Sequence, residues 1–152
     1  MDSSKLESKY IKFFEKDPTP TKNLDIIEKK LNIILPSDFK QISKFYRGGF
    51  LGGLSHNAID FDGNENNLVG ETVRLRTSII LPSRFIVLAE PAASLIVMET
   101  MNDETADSKV IWLDATDVCK LDEIDTLNDP DIWNSYTSFF EYLLDEEEEE
   151  RE

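Results

Sequence analysis

The sequence predicts a single α+β domain. The chain has 152 residues, of which 40% are hydrophobic, and it contains six glycines and six prolines. A chain of about this length buries roughly 68–70% of the surface that its unfolded state exposes, which is enough for a full core without disulfides. Helical periodicity marks the two ends of the chain, whereas β-rich runs occupy residues 85–113.

Two amphipathic helices are predicted before residue 32. The first would end at Asp17 and Pro18, because the residue before a proline disfavours the helical conformation. Thr21 is predicted to be the N-cap of the second. The apolar faces are Leu6, Tyr10, Phe13 and Phe14 in the first helix and Leu24, Ile27 and Leu31 in the second.

Residues 35–50, LPSDFKQISKFYRGGF, predict a short third helix with both ends marked. Pro36 fixes φ at the position where a helix can begin. Gly48 and Gly49 stand where a helix usually ends in a left-handed residue. The four glycines of residues 48–53 lack the spacing and the lysine of a phosphate-binding loop, so we interpret them as a helix stop leading into a turn. The apolar positions of this helix are Phe39, Ile42, Phe45 and Tyr46.

Three β-rich runs, residues 85–89, 95–98 and 109–113, predict strands. Residues 90–94 form a five-residue connection between the first two runs, which indicates a hairpin. Both runs are apolar throughout, so both faces of this hairpin should be partly covered. Ile59 and Phe61 predict a further short strand, and residues 68–77 fit a helix better than a strand.

The last helix is predicted to begin at Asp129 and Pro130, with the aspartate as cap and the proline at the first position. The acidic run that follows this helix has no apolar face, so residues 145–152 are predicted to be a disordered tail. The apolar stripe of the helix comprises Ile132, Trp133, Tyr136, Phe139, Phe140, Leu143 and Leu144.

The net charge of −15 is concentrated in the second half of the chain. Residues 1–86 hold 13 basic and 11 acidic residues, whereas residues 87–152 hold 3 basic and 20 acidic residues. A field of this sign repels nucleic acid and attracts basic partners, although it also serves solubility alone. Direct binding of nucleic acid is therefore not expected.

Cellular location is predicted from three absences in the sequence. Cys119 is the only cysteine, which prevents an internal disulfide and favours a reducing compartment. The first ten residues lack the basic and apolar segments of a signal peptide. The apolar runs are too short to cross a bilayer. These observations predict a cytoplasmic protein that does not contact a membrane.

Catalytic and metal sites are not indicated. His56 and Cys119 are single residues of their type, and no third group completes a catalytic set. An EF-hand-like alternation of oxygens runs through Asp60, Asp62, Asn64 and Asn66 to Glu71, but glutamate 65 occupies the sixth position, where the loop needs glycine. We therefore expect no metal, no cofactor and no enzymatic activity.

In the order of its elements the chain resembles the SUKH superfamily, which includes the yeast Smi/Knr cell-wall regulators and many bacterial immunity proteins. Arg47 stands where the family usually has asparagine, and residues 91–94 replace a turn rich in Asp and Gly. The matching stretches are residues 35–40 (LPSDFK), 46–49 (YRGG), 81–89 with 95–98, 110–113, and 138–143 (SFFEYL). The resemblance implies a central, mostly antiparallel sheet flanked by helices.

The same resemblance implies a non-enzymatic binding protein. Many bacterial members neutralise a polymorphic toxin, often a nuclease, and others are adaptors. Because a nuclease site must hold phosphate, an acidic inhibitor would be steered onto it. An immunity protein with an acidic contact surface is one hypothesis; an adaptor of the Smi/Knr type with an apolar or mixed surface is the other. The oligomeric state is open. The predicted contact residues are Asp103, Glu104, Asp107, Asp114, Asp117, Asp122 and Glu123.

Overall fold

The computed structural model describes residues 2–63 and 66–152 and shows one α+β domain. Six strands form one antiparallel sheet in the order β1-β2-β3-β4-β5-β6, so each strand pairs with its neighbours in sequence. The strands are β1 Gly49–Leu51, β2 Leu54–His56, β3 Phe85–Ala89, β4 Ser94–Glu99, β5 Val110–Asp114 and β6 Asp131–Trp133. The predicted antiparallel sheet and the hairpin of β3 and β4 are confirmed.

Five α-helices pack around this sheet in the described part of the chain. They are α1 Ser3–Tyr10, α2 Thr21–Leu31, α3 Ser37–Ile42, α4 Leu68–Ser78 and α5 Tyr136–Glu150. Two 3₁₀ helices, Ala115–Lys120 and Ile124–Thr126, connect β5 to β6. The helix favoured over residues 68–77 is confirmed, and Thr21 is the first residue of α2 instead of its N-cap.

The sheet is covered on both faces, as the apolar strands predicted. One face, with α1, α2, α3 and α5, forms a core rich in aromatic rings. The other face is covered by the end of α4 and by the segment between β5 and β6. Side chains of β3, β4 and β5 alternate between the two cores, because successive residues of a strand point to opposite faces. Residues of this second core include Leu75, Phe85, Val97, Ile111, Val118 and Leu127.

Four predicted element boundaries or types are wrong. Helix α3 ends at Ile42 instead of at Gly48, and residues 43–45 form a turn. Helix α1 ends at Tyr10, and Phe14 instead stacks on Tyr10 from a turn, with ring centroids 5.1 Å apart. Ile59 and Phe61 lie in bends and not in a strand, because the carboxylate of Asp60 accepts a hydrogen bond from the backbone N–H of Phe61 and closes a local turn.

The predicted start of the last helix is also wrong. Residues 131–133 form β6, which pairs with β5, and α5 begins after Ser135. The hydroxyl of Ser135 accepts a hydrogen bond from the backbone N–H of Ser138, so serine is the N-cap instead of Asp129. Asp129 has a φ of 51°, a left-handed conformation that turns the chain toward the sheet.

The acidic run after residue 144 is helical in the structure, contrary to the predicted disordered tail. Helix α5 continues to Glu150, and Glu147 is only 5% exposed. Its carboxylate accepts hydrogen bonds from the backbone N–H of Gly52 at 3.0 Å and from Arg151 at 2.7 Å. Asp145 and Glu148 form ion pairs with Lys9 of α1. These contacts with other elements order a segment that has no apolar face of its own.

Candidate protein-interaction surface

The acidic loop of residues 102–107, which precedes β5, forms hydrogen bonds and an ion pair with the start of α3. Asp103 accepts hydrogen bonds from the backbone N–H of Thr105 at 2.9 Å and from its hydroxyl at 2.8 Å, and these bonds lower the pKa of Asp103. The backbone carbonyl of Glu104 accepts a hydrogen bond from Ser37, and its carboxylate lies 3.1 Å from the Lys40 ammonium. Asp103 and Glu104 are exposed, but both also shape this loop.

At the other end of β5, Asp117 is a structural residue. It is 6% exposed, and its carboxylate accepts a hydrogen bond of 2.9 Å from the backbone N–H of Asn128. Lys120 lies 3.6 Å from the same carboxylate. Asp114, by contrast, is exposed, and its carboxylate accepts a long hydrogen bond of 3.5 Å from the side-chain amide of Asn128. The burial of Asp117 could not be predicted from the sequence, because it depends on the contact between Asp117 and Asn128, which lies 11 residues later in the chain.

Asp122 is partly neutralised by an arginine of the sheet. Arg84 lies 2.7 Å from the Asp122 carboxylate and 2.8 Å from that of Glu99, and its guanidinium stacks over the ring of Phe85. Glu123 is exposed and forms no ion pair within the described residues.

The seven predicted contact residues therefore do not form one cluster. Asp107 lies just before the start of β5, and Asp114 is its last residue. A strand rises about 3.4 Å per residue, so five residues separate the two ends by roughly 14 Å. Asp122 lies at the Asp107 end, because its partner Glu99 is the last residue of β4 and antiparallel pairing places Met98 opposite Val110. Glu104 contacts α3 on one face of the sheet, whereas Asp117 lies in the 3₁₀ helix that covers the other face.

A second acidic group, missed in the sequence, lies at the β6 edge of the sheet. Asp129 precedes the edge strand β6 and Asp131 is its first residue, and both are exposed. The rings of Trp133 and Tyr142 meet across β6 and α5 with centroids 5.0 Å apart. Burial raises the pKa of Tyr142, and the charges of Glu146 and Asp131 raise it further. The predicted helix had assigned Trp133 to the core stripe, which concealed this edge.

Arg47 binds Asp60 across a cleft beside the glycine turn. The guanidinium lies 2.9 Å from one carboxylate oxygen of Asp60, and the other oxygen accepts the N–H of Phe61 and, at 3.4 Å, the amide of Asn23. The cleft has a volume of about 590 Å³. The ion pair thus joins Arg47, which directly precedes Gly48 and Gly49, to the loop that follows β2. Residues lining the cleft include Asp17, Arg47, Gly48, Ala58, Asp60 and Asp62.

The EF-hand-like alternation is only partly within the described residues, since residues 64 and 65 lie outside them. Asp60 belongs to the ion pair with Arg47. Within residues 2–63 and 66–152 there is no group of three or more His, Cys, Asp or Glu side chains arranged to hold a metal ion.

His56 is buried in the first core. Its Nε2 lies 3.1 Å from the backbone carbonyl of Leu51, and its ring packs edge-on against Phe139. Burial lowers the pKa of His56 to about 4. The neutral ring donates its Nε2 proton to Leu51 and closes the hairpin of β1 and β2. Cys119 lies exposed on the 3₁₀ helix that covers the opposite face of the sheet.

Comparison with known proteins identifies the family. The chain is an α+β domain in which a six-stranded antiparallel meander is covered on one face by helices and on the other by the end of α4 and the segment between β5 and β6. Residues 21–143 match the family model SUKH_6, described as SMI1-KNR4 cell-wall, so the chain belongs to this family. The comparison with curated proteins found no match. None of the helices within the described residues is long and apolar enough to span a bilayer.

Proposed function

We propose that this protein is an immunity protein that binds and neutralises a toxin domain through an acidic surface. Membership of the SUKH family supports a role in binding another protein. The observation that carries the proposal is a series of exposed carboxylates between residues 107 and 131 without an ion-pair partner in the described structure: Asp107, Asp114, Glu123, Asp125, Asp129 and Asp131.

Unpaired carboxylates matter because a paired charge contributes little to the field at a distance. The pairing of each carboxylate therefore ranks the predicted contact residues within this proposal. Asp107, Asp114 and Glu123 are the strongest candidates; Asp103, Glu104 and Asp122 contribute less, because hydrogen bonds or cations engage them. Asp117 is buried and contributes through its support of the surrounding turn.

A nuclease is the toxin class that best complements this surface. Its active site must be basic to hold phosphate, and complementary fields raise the association rate more than they raise net affinity. The field decays with a screening length of about 8 Å at physiological salt. An inhibitor of this kind should therefore bind quickly at low salt and lose part of that speed as salt rises.

The test begins with the adjacent gene, which the proposal requires to encode a toxin domain; that domain is then produced in a catalytically inactive form. We expect a stable complex whose association rate falls about tenfold between 50 and 200 mM salt. A triple variant Asp107→Asn, Asp114→Asn and Glu123→Gln should lower the rate more than the matched triple variant Glu15→Gln, Asp25→Asn and Asp62→Asn. Absence of a complex, or a rate that ignores salt, would contradict the proposal.

The alternative is an adaptor with a non-toxin partner. Exposed apolar side chains favour it, notably Phe50 at 63% exposure and Ile80 at 81%. An adaptor that binds through these residues should retain its partner in the acidic triple variant and lose it in Phe50→Ser or Ile80→Ser. The immunity protein should show the reverse pattern.

A further inference from the structure

Strand β6 leaves one edge of the sheet open. It pairs with β5 through Val110–Trp133, Ile111–Ile132 and Trp112–Asp131. On its other side no strand follows within the described residues, and no backbone hydrogen bond from another element reaches residues 131–133 there. An edge strand presents unpaired N–H and C=O groups, which are a template for pairing with another chain.

Both faces of this edge carry apolar surface. Ile132 pairs with Ile111 of the second core and is 41% exposed at the sheet margin. Trp133 points to the opposite face, where its half-buried ring contacts Phe139 and Tyr142 of α5. A strand added beside β6 would therefore cover Ile132 on one face and the rim of the Trp133–Tyr142 pair on the other.

Charge decides which kind of strand fits. Asp129 and Asp131 lie at the start of β6, and Glu146 and Asp131 act on Tyr142 closely enough to raise its pKa. A second copy of this chain, paired antiparallel about Ile132, would hold the two Asp131 carboxylates on a diagonal about 8 Å apart, and each copy carries a net charge of −15. Like charges placed opposite one another across a strand pair are destabilising, whereas opposite charges stabilise it. The charge at the β6 edge therefore disfavours pairing with a second copy of the chain and favours pairing with a basic segment.

We propose that β6 takes up an extended segment of the toxin domain, bearing lysine or arginine, as a seventh strand. This inference rests on the proposed function and names the part of the acidic surface that makes the contact. Main-chain hydrogen bonds along β6 would supply affinity, and the flanking carboxylates and aromatic rings would select the sequence of the segment.

Hydrogen exchange on the wild-type complex tests the proposal without any variant. The probe is the same inactive toxin domain. We expect amide exchange over residues 131–133 to slow about tenfold or more on binding, as new backbone hydrogen bonds form. If a complex forms without protection there, or protects residues 49–51 at the other sheet edge, the inference is overturned while the proposed function stands. If no complex forms, both fail. Protection of residues 131–133 in the free protein together with a dimer in sedimentation would assign the edge to a second copy.

Two variants with matched controls add a second measurement. Asp131→Lys should weaken affinity about tenfold more than Asp25→Lys, which changes net charge equally on an exposed face of α2. Ile132→Thr keeps a strand-forming residue but removes apolar contact, and should weaken affinity more than Ile11→Thr at the exposed C-cap that follows α1. Equal effects within either pair would contradict docking at β6.

Discussion

The carboxylate of Asp38 accepts hydrogen bonds from both the backbone N–H and the hydroxyl of Thr137, at 2.9 and 3.0 Å. These residues are 99 positions apart in sequence. Asp38 belongs to the LPSDFK motif at the start of α3, and Thr137 lies in the first turn of α5. The motif therefore caps a distant helix: one carboxylate satisfies an N–H that α5 cannot satisfy internally, and negative charge there complements the helix dipole.

Asp38→Ala should destabilise the protein by about 1–3 kcal/mol, because it removes charge-assisted hydrogen bonds and leaves a half-buried N–H without its partner. Denaturant unfolding measures this loss. Asp25→Ala on the exposed side of α2 is the control and should change the free energy of unfolding by less than about 0.5 kcal/mol. Equal effects would contradict the capping role.

Glu147→Ala tests whether the end of α5 is an ordered part of the domain. The substitution would leave the N–H of Gly52 without its acceptor, so we expect a loss of about 1–3 kcal/mol. Glu149→Ala, at an exposed position of the same turn, should be close to neutral. If both variants unfold at the wild-type denaturant concentration, residues after 144 do not support the fold.

Gly48 and Gly49 offer a matched pair for the glycine motif. Both have positive φ, 95° and 99°, which an L residue rarely adopts. A Cβ on Gly48 would lie 2.5 Å from the carbonyl oxygen of Asn57, whereas a Cβ on Gly49 meets nothing within 4 Å.

We therefore expect Gly49→Ala to cost about 1–2 kcal/mol from backbone strain, and Gly48→Ala to cost a further 1–3 kcal/mol, roughly, from the clash with backbone atoms. Thermal or denaturant unfolding separates the two contributions. Equal losses would show that the close approach to Asn57 relaxes freely.

His56 should lower the free energy of unfolding as the pH decreases from about 6.5 to about 4. The unfolded chain takes up the imidazole proton below pH 6.5, whereas burial keeps the folded ring neutral until about pH 4. Protons then favour the unfolded state, and lowering the pH from 7.5 to 5 should remove about 2 kcal/mol through this residue.

The chain has one histidine, so His56→Gln isolates this contribution. Glutamine can still donate a hydrogen bond to Leu51 but does not titrate. Its free energy of unfolding, measured at pH 7.5 and pH 5, should show a smaller decline than that of the wild type. An identical decline in the two proteins would assign the acid sensitivity to other groups.

The sequence shows the charge of each residue, but not whether its side chain is exposed and unpaired in the folded protein. Asp107 and Asp117 look equivalent in the chain, yet one is exposed and the other is buried under Asn128. The family resemblance, by contrast, was carried by local motifs, and the match over residues 21–143 confirms it. Contact surfaces depend on which side chains the fold leaves unpaired, and that is a property of distant contacts.

The sequence by itself determined the elements whose signals are local. The start of α3 after Pro36, the hairpin of β3 and β4, and the α+β class follow from periodicity and turn residues, which act within a few positions, although α3 ends at Ile42 and not at the predicted Gly48. Tertiary structure alone decided that residues 131–133 pair with β5 instead of extending α5, and that Glu147 orders the acidic end of α5 by bonding Gly52. Residues 131–133 form a strand only because β5 supplies a pairing partner. The acidic end of α5 is ordered only because groups elsewhere in the chain, such as the N–H of Gly52, bond its carboxylates.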